Sequence, residues 1–142
     1  MSECIFCSIA GGIVPAHVVH ESATAIALLD RFPAARGHVL VIPRHHAPTL
    51  LDLPDEAIGA LFQEVKVVTR AVSEALRPLA FHVGWNHGFE AGQRVFHLHV
   101  HVIPRYAPGG AGIQSLGTGP GRDDLDATAA AIRDRLGGPG QR

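Results

Sequence analysis

Cysteine is scarce in this chain of 142 residues: only Cys4 and Cys7 occur, too close together to staple a fold. A chain without a disulfide framework fits a reducing compartment, where such thiols stay free or bind metal, so the reading is a cytoplasmic protein. Long apolar runs are missing, and none approaches the roughly 20 residues that span a membrane. The opening "MSECIFCSIAGG" lacks the basic flank and apolar centre of a secretory signal. There is also no long basic run, and the formal net charge is -1. General nucleic-acid binding is therefore not implied, whereas a small anion needs only a local site and stays open. Charged residues are sparse at 18% and hydrophobic ones make up 46%, which is globular rather than disordered. The length supports one domain with a real core but hardly two.

What the chain does have is histidine, glycine and proline: 10, 16 and 10 of them. Glycine and proline punctuate the elements. "CIFCSIAGG" reads as a short helical turn stopped by Gly11 and Gly12. "AHVVHES", "TAIALLD" and "GHVLVIP" read as three strands in a meander. After "LPDE" a helix is predicted over Asp55 to Leu76, ended by Pro78. Ile58, Leu61, Phe62, Val65, Val68, Val72, Ala75 and Leu76 give it one apolar face at the 3.6-residue period. "LAFHVGWN" and "RVFHLHVHVIP" read as two more strands around the polar loop "HGFEAGQ". A last helix is expected from Asp123 to Leu136, with Leu125, Ile132 and Leu136 as its stripe. The fold class is α+β: an antiparallel sheet of about five strands, one long helix and short terminal helices. Residues 1–106 form the core, and 107–142 form a Gly/Pro-rich tail of the same single domain that carries the last helix.

Within "VFHLHVHVIPR" stand His97, His99 and His101, with Leu98, Val100 and Val102 between and after them. On a strand, alternate side chains share a face about 6.6 Å apart, so the imidazoles line one face and the apolar residues pack on the helix. A packing role does not explain three imidazoles in strict alternation, because each buried one needs a partner. Two chemistries compete. One is a metal site, since neutral imidazole suits zinc. The other is covalent catalysis, with one imidazole as nucleophile and another as acid or phosphate-binding donor. No carboxylate sits among the three. The preceding "EAGQ" offers an amide and backbone N–H groups, which suit an anion better than a cation.

"AGQRVFHLHVHVIPR" resembles the signature of the histidine triad (HIT) family, "GHVLVIPRHH" its second block and "CIFCSIAGGIVPAHVVHES" its N-terminal block. The resemblance implies a purine nucleotide ligand and hydrolysis at the α-phosphorus. It makes His99 the nucleophile, His101 a donor to a phosphate oxygen, and Gln93 a contact to the phosphate or leaving group, helped by backbone N–H groups at Arg94 and Val95. His99 then needs its other ring nitrogen held by a backbone carbonyl. Asp30 falls where the family accepts ribose hydroxyls, although it also suits a turn-starting Asp. Phe6, Ile9 and Leu28 match base-pocket positions, and His38 and Asn86 match site-lining ones. Arg94 is a departure, since many members carry Ser or Thr there.

The pair Cys4 and Cys7 alone fits two free thiols, a redox couple or half a metal site. A bacterial branch of the family completes such a pair with residues matching His46 and His97, which implies a structural zinc on Cys4, Cys7, His46 and His97. His45 competes with His46. His17, His20 and His82 read as ordinary strand residues, and His87 lies in the loop near the site. The resemblance further implies a homodimer. The expected activity is cleavage of an adenosine 5'-phosphoramidate such as AMP-lysine through a nucleotidyl-histidine intermediate. A dinucleoside polyphosphate hydrolase, a nucleotidyltransferase or phosphorylase, a non-catalytic nucleotide-binding protein and a metallohydrolase with all three histidines on one metal are the rivals.

Overall fold

Two hydrophobic clusters lie on opposite faces of one five-stranded sheet, and their unequal cover creates the site. The computed structural model describes residues 4–107 and 124–136. Their elements run α1 (Ile5–Ala10), β1 (Val18–Glu21), β2 (Ala25–Leu29), β3 (Val39–Pro43), α2 (Asp55–Leu76), β4 (Ala80–Gly84), β5 (Val100–Arg105) and α3 (Leu125–Leu136). The strand order is β1-β2-β3-β5-β4, and every neighbouring pair is antiparallel. The expected meander is β1 to β3, and β5 inserts between β3 and β4.

Alternation along the strands sorts the side chains. Ala25, Ala27, Leu29, Val39, Val41, Val100 and Val102 point to one face and pack against Leu61, Val65, Val68 and Val72 of α2. Burying each large aliphatic side chain contributes about 1.5–3 kcal/mol, so this face carries most of the stability. The α2 helix starts after Pro54 with Asp55 and Glu56 in its first turn, and stops at Arg77, which is left-handed at φ 52°, just before Pro78. Negative charge at the first turn and a left-handed residue at the end are normal terminators. The α3 helix buries Ala129 and Ile132 beside the same core and is tied to β1, since Arg133 Nε donates to the Val18 carbonyl at 2.8 Å.

The opposite face carries Ile26, Leu28, Leu40 and Ile42, covered by Phe6 and Ile9 of α1. The six-residue α1 is too short to cover five strands by itself, yet Ile26, Leu28, Leu40 and Ile42 are all buried. The β3–β5 register places Leu40 opposite His101, which sends His101 to this second face.

The last strand is shorter than "RVFHLHVHVIP" suggests, because β5 begins only at Val100. The backbone ahead of it bonds elsewhere: the Leu98 N–H donates to the Ala47 carbonyl at 2.8 Å. The alternation nevertheless persists, with Leu98 in the main core and Phe6 packed against His97 and His99 on the other side. Residues 108–123 and 137–142, which include most of the Gly/Pro-rich tail and the start expected for the last helix, lie outside the described residues. Among the described residues no helix is long and apolar enough to cross a membrane.

Candidate active site and metal centre

The three histidines do not converge on one point; each ring is committed to different partners. His97 Nε2 meets the Pro43 carbonyl at 2.8 Å, so this nitrogen carries the proton and donates. Its Nδ1 lone pair then faces Cys4 Sγ at 3.4 Å, Cys7 Sγ at 3.6 Å and His46 Nδ1 at 3.2 Å. Cys7 Sγ lies 3.3 Å from His46 Nδ1. These four ligand atoms all fall within 4.8 Å of one another. Tetrahedral zinc would set its N···N edges at about 3.3 Å and its S···N edges at about 3.6 Å, given the usual bond lengths. The observed separations match those edges, and two thiolates with two neutral imidazoles balance the charge of Zn2+. The donor set therefore fits the metal. Cys4 and Cys7 are held together by the turn itself, because Cys4 caps α1 and its sulfur accepts from the Cys7 N–H at 3.4 Å. His45 is exposed and is not part of the cluster.

His99 donates from Nδ1 to the His97 carbonyl at 2.8 Å. That bond leaves Nε2 with the lone pair, the form that a nucleophile requires. Burial lowers its pKa below the ordinary value, while the carbonyl bond and Asp30 oppose the shift. The Phe6 ring stands edge-on to His99 at 5.0 Å and to His97 at 5.8 Å.

His101 is set by a hydrogen-bond chain that the sequence did not display. The Ala34 N–H donates to His38 Nδ1 at 3.0 Å, so His38 must carry its proton on Nε2. That proton points at His101 Nδ1, 3.0 Å away. His101 Nδ1 is thus an acceptor, and its proton sits on Nε2. This Nε2 is buried and has no partner among the described residues. A buried donor without an acceptor is costly, which marks the place for an anionic oxygen. Burial is the main cause that pushes the pKa of His101 down to about 3, with His99, His38 and His82 adding to it. Burial likewise lowers His38 to about 4, against the pull of Asp30. Both rings are neutral at pH 7.

Asp30, His38 and His101 also gather ligand-type atoms within 4.8 Å. The Ala34 N–H argues against a cation there, since a metal on His38 Nε2 would force a proton onto Nδ1 against that donor. Asp30 Oδ1 accepts from the Phe32 N–H at 2.9 Å, so the turn role is real. Its Oδ2 lies 3.7 Å from His38 Nε2.

Gln93 is buried and fully engaged. Its Oε1 accepts from the Gly88 N–H at 2.8 Å, and its Nε2 donates to the Pro48 carbonyl at 2.7 Å and the Val95 carbonyl at 3.0 Å. Both amide protons are used, so in this arrangement it braces the loop and has none left for a phosphate. Asn86 packs against Gly92, whose φ of +104° only glycine tolerates readily. Arg94 turns outward: its guanidinium lies 4.4 Å from the Phe89 ring centre, and Nη1 donates to the Phe89 carbonyl at 3.0 Å. It lines an open recess of about 320 Å³ with Cys4, Ile5, Val95 and Phe96. Phe6, Ile9, Leu28 and Val95 do come together, as the apolar wall of the second face.

The remaining histidines divide. His17 pairs with Asp126 at 2.8 Å and His20 with Glu64 at 3.0 Å, both away from the site. His82 pairs in register with Ile103, on the same face as His101, which strand pairing alone reveals. Ala34, Pro43 and Ala47 act only through backbone atoms, so no side-chain signal could have flagged them.

Residues 12–108 match the family described as HIT domain, and the chain belongs to the HIT family. It is 35% identical to Protein hit of Bacillus subtilis over 137 residues, 94% of each chain. It is 36% identical to Adenylylsulfatase HINT3 of Arabidopsis thaliana over 104 residues, which are 73% of this chain and 53% of that one. The fold superposes on the crystal structure of a Zn-bound histidine triad family protein from Mycobacterium smegmatis with a TM-score of 0.81 at 32% identity, covering 95% of this chain and 94% of the other. Cys4 and Cys7 precede the matched HIT segment.

Proposed function

We propose that the protein is a nucleotide-binding hydrolase that cleaves a purine nucleotide derivative at the α-phosphorus, an adenosine 5'-phosphoramidate such as AMP-lysine being the intended substrate class. The observation that carries this reading is the pairing of opposite tautomers at neighbouring rings. His99 offers a lone pair from Nε2, and His101 offers a proton from a buried Nε2 that has no partner among the described residues. One ring is built to attack phosphorus and the other to hold its oxygen.

In this reading His99 Nε2 attacks the α-phosphorus and the phosphorus–nitrogen bond breaks. The leaving nitrogen departs as the amine, taking its proton from water. Water then hydrolyses the nucleotidyl-histidine, releases the nucleoside monophosphate and restores His99. His101 binds a non-bridging oxygen throughout. His38 holds His101 in its donor form and cannot relay a proton onward, because its own Nδ1 already accepts from Ala34. Asp30 takes the ribose hydroxyls and the wall of Phe6, Ile9 and Leu28 takes the base. Gln93 serves by bracing the loop that carries Arg94 and Val95. Arg94 takes the leaving-group side of the substrate.

Cys4, Cys7, His46 and His97 hold a zinc ion that supports the fold. The relative from Arabidopsis, named an adenylylsulfatase, supports nucleotide hydrolysis in general. The subunit works in the cytoplasm as a homodimer joined along β4, which among the described residues pairs only with β5 and exposes Val83, with Leu79 just ahead of it. Light scattering on the purified protein reads that state directly.

The deciding assay compares an adenosine phosphoramidate with diadenosine tetraphosphate, for wild type and His99→Ala. AMP release from the phosphoramidate, lost in the variant while nucleotide binding persists, is the expected result. Cleavage of the dinucleotide alone would move the protein to the rival hydrolase class. Binding without turnover of either would sink the assignment of His99.

A further inference from the structure

The metal-type cluster and the nucleophile share a residue. His97 presents its ring to Cys4, Cys7 and His46, and its backbone carbonyl to His99 Nδ1 at 2.8 Å. That carbonyl decides which His99 nitrogen bears the proton, because a neutral ring donates from only one of them. Its own support is thin. Residue 97 precedes β5, so no strand ladder holds this peptide. The local restraints are the Leu98 N–H on the Ala47 carbonyl, His97 Nε2 on the Pro43 carbonyl, and the cluster at His97 Nδ1. A second connection runs through α1. Phe6 lies between the two cysteines in sequence and sets its ring edge against both His97 and His99.

We propose that Cys4, Cys7 and His46 are positioning residues for the reaction. By clamping the His97 ring and seating Phe6, they fix the carbonyl that keeps His99 in its attacking tautomer. The cluster therefore governs turnover as well as stability. This rests on the reading of His99 as nucleophile. Zinc bound to the four ligands stiffens the clamp, and the chain's own groups transmit the effect. Supporting residues around a metal typically change activity about 10- to 100-fold when removed.

The test uses zinc-loaded protein in four forms: wild type, His46→Ala, His46→Cys and Val68→Ala. His46 is exposed, so its loss leaves no cavity in the core. His46→Cys restores a fourth zinc ligand of accepted type. Val68, buried on the inner face of α2, serves as a destabilised control that is not one of the four cluster residues. Each form is read three ways: melting temperature, kcat and KM with the adenosine phosphoramidate, and the ring-nitrogen shifts of His99 by long-range 1H–15N NMR.

The expected result for His46→Ala is a kcat lowered about 10- to 100-fold with KM little changed. Its His99 spectrum should move away from the pure Nδ1–H pattern. His46→Cys should recover both, and Val68→Ala should lose melting temperature with neither effect. A His46→Ala protein that melts earlier yet keeps its kcat and the wild-type His99 pattern would overturn the proposal. If wild type itself turns nothing over, the nucleophile reading fails. The NMR comparison still decides the coupling: a shifted His99 pattern supports it and an unshifted one refutes it. Should His46→Ala not fold, metal-stripped wild type supplies the same spectrum.

Discussion

Acidification to about pH 5 should weaken the fold at the His38–His101 pair before most surface carboxylates begin to protonate. Both rings fold in the neutral form, with pKa values of about 4 and about 3 against an ordinary 6.5. The sign follows from proton counting. A group whose pKa is lower in the folded state binds fewer protons there than when unfolded. Its contribution is complete above the unfolded value and is lost as pH falls from there toward the folded value. At pH 5 that loss is about 2 kcal/mol for either histidine alone, from 1.36 kcal/mol per pKa unit. The two share a hydrogen bond, so the joint loss lies between about 2 and 4 kcal/mol rather than at a simple sum. This is a large part of a usual reserve of about 5–15 kcal/mol.

Urea unfolding at about pH 7.5 and pH 5 measures it, for wild type and for the double variant His38→Gln/His101→Gln. The quantity compared is the change with pH in each protein. Protonation of the cluster ligands affects both proteins and cancels. Wild type should lose about 2–4 kcal/mol more than the variant across this interval. An equal loss in both would refute the view that these rings are buried neutral.

Gly37 holds φ +86° just before His38, and a Cβ there would collide with Leu76 Cδ1, so Gly37→Ala should cost about 1–3 kcal/mol in thermal melts. An unchanged melting point would show that the turn adapts freely. Asp30→Ala should raise the KM for nucleotide with a smaller effect on kcat, and steady-state kinetics would contradict the ribose role if KM stayed level. Removing metal with a chelator should lower the melting temperature, and added zinc should restore it in a concentration-dependent way. Indifference of the melt to chelator would remove the metal from the account. Arg94→Ser should change the relative kcat/KM of phosphoramidates with acidic and with basic leaving amines, and an unaltered ratio would free Arg94 from leaving-group selection.

Much of the architecture was legible because period and punctuation agree in this chain. The α2 helix runs from Asp55 to Leu76 as its apolar face requires, and β2 and β3 sit inside their β-rich stretches. The quartet Cys4, Cys7, His46 and His97 could be named through family resemblance, although only the fold shows which of two adjacent histidines faces the cysteines. What stayed hidden was set by backbone atoms or by long-range register. Neither the Ala34 N–H nor the Pro43 carbonyl has a side-chain signature, yet they choose the tautomers of His38 and His97. The strand ahead of Val100 reads well by alternation, but Leu98 takes its partner from Ala47 instead of from a ladder. Gln93 has a role that its residue type does not announce. An amide suits a phosphate, but three local partners already occupy it.

Along β5 the positions that build the main core alternate with those that face the site: Val100 and Val102 on one side, His101 on the other. A slip of one residue in pairing would exchange the two sets at once. It would press imidazole into the aliphatic core and present valine to the substrate. A mispaired chain would thus forfeit stability together with chemistry, and no long-lived inactive population should build up beside the working one. Correct pairing of the core and correct placing of His101 thus depend on the same six residues.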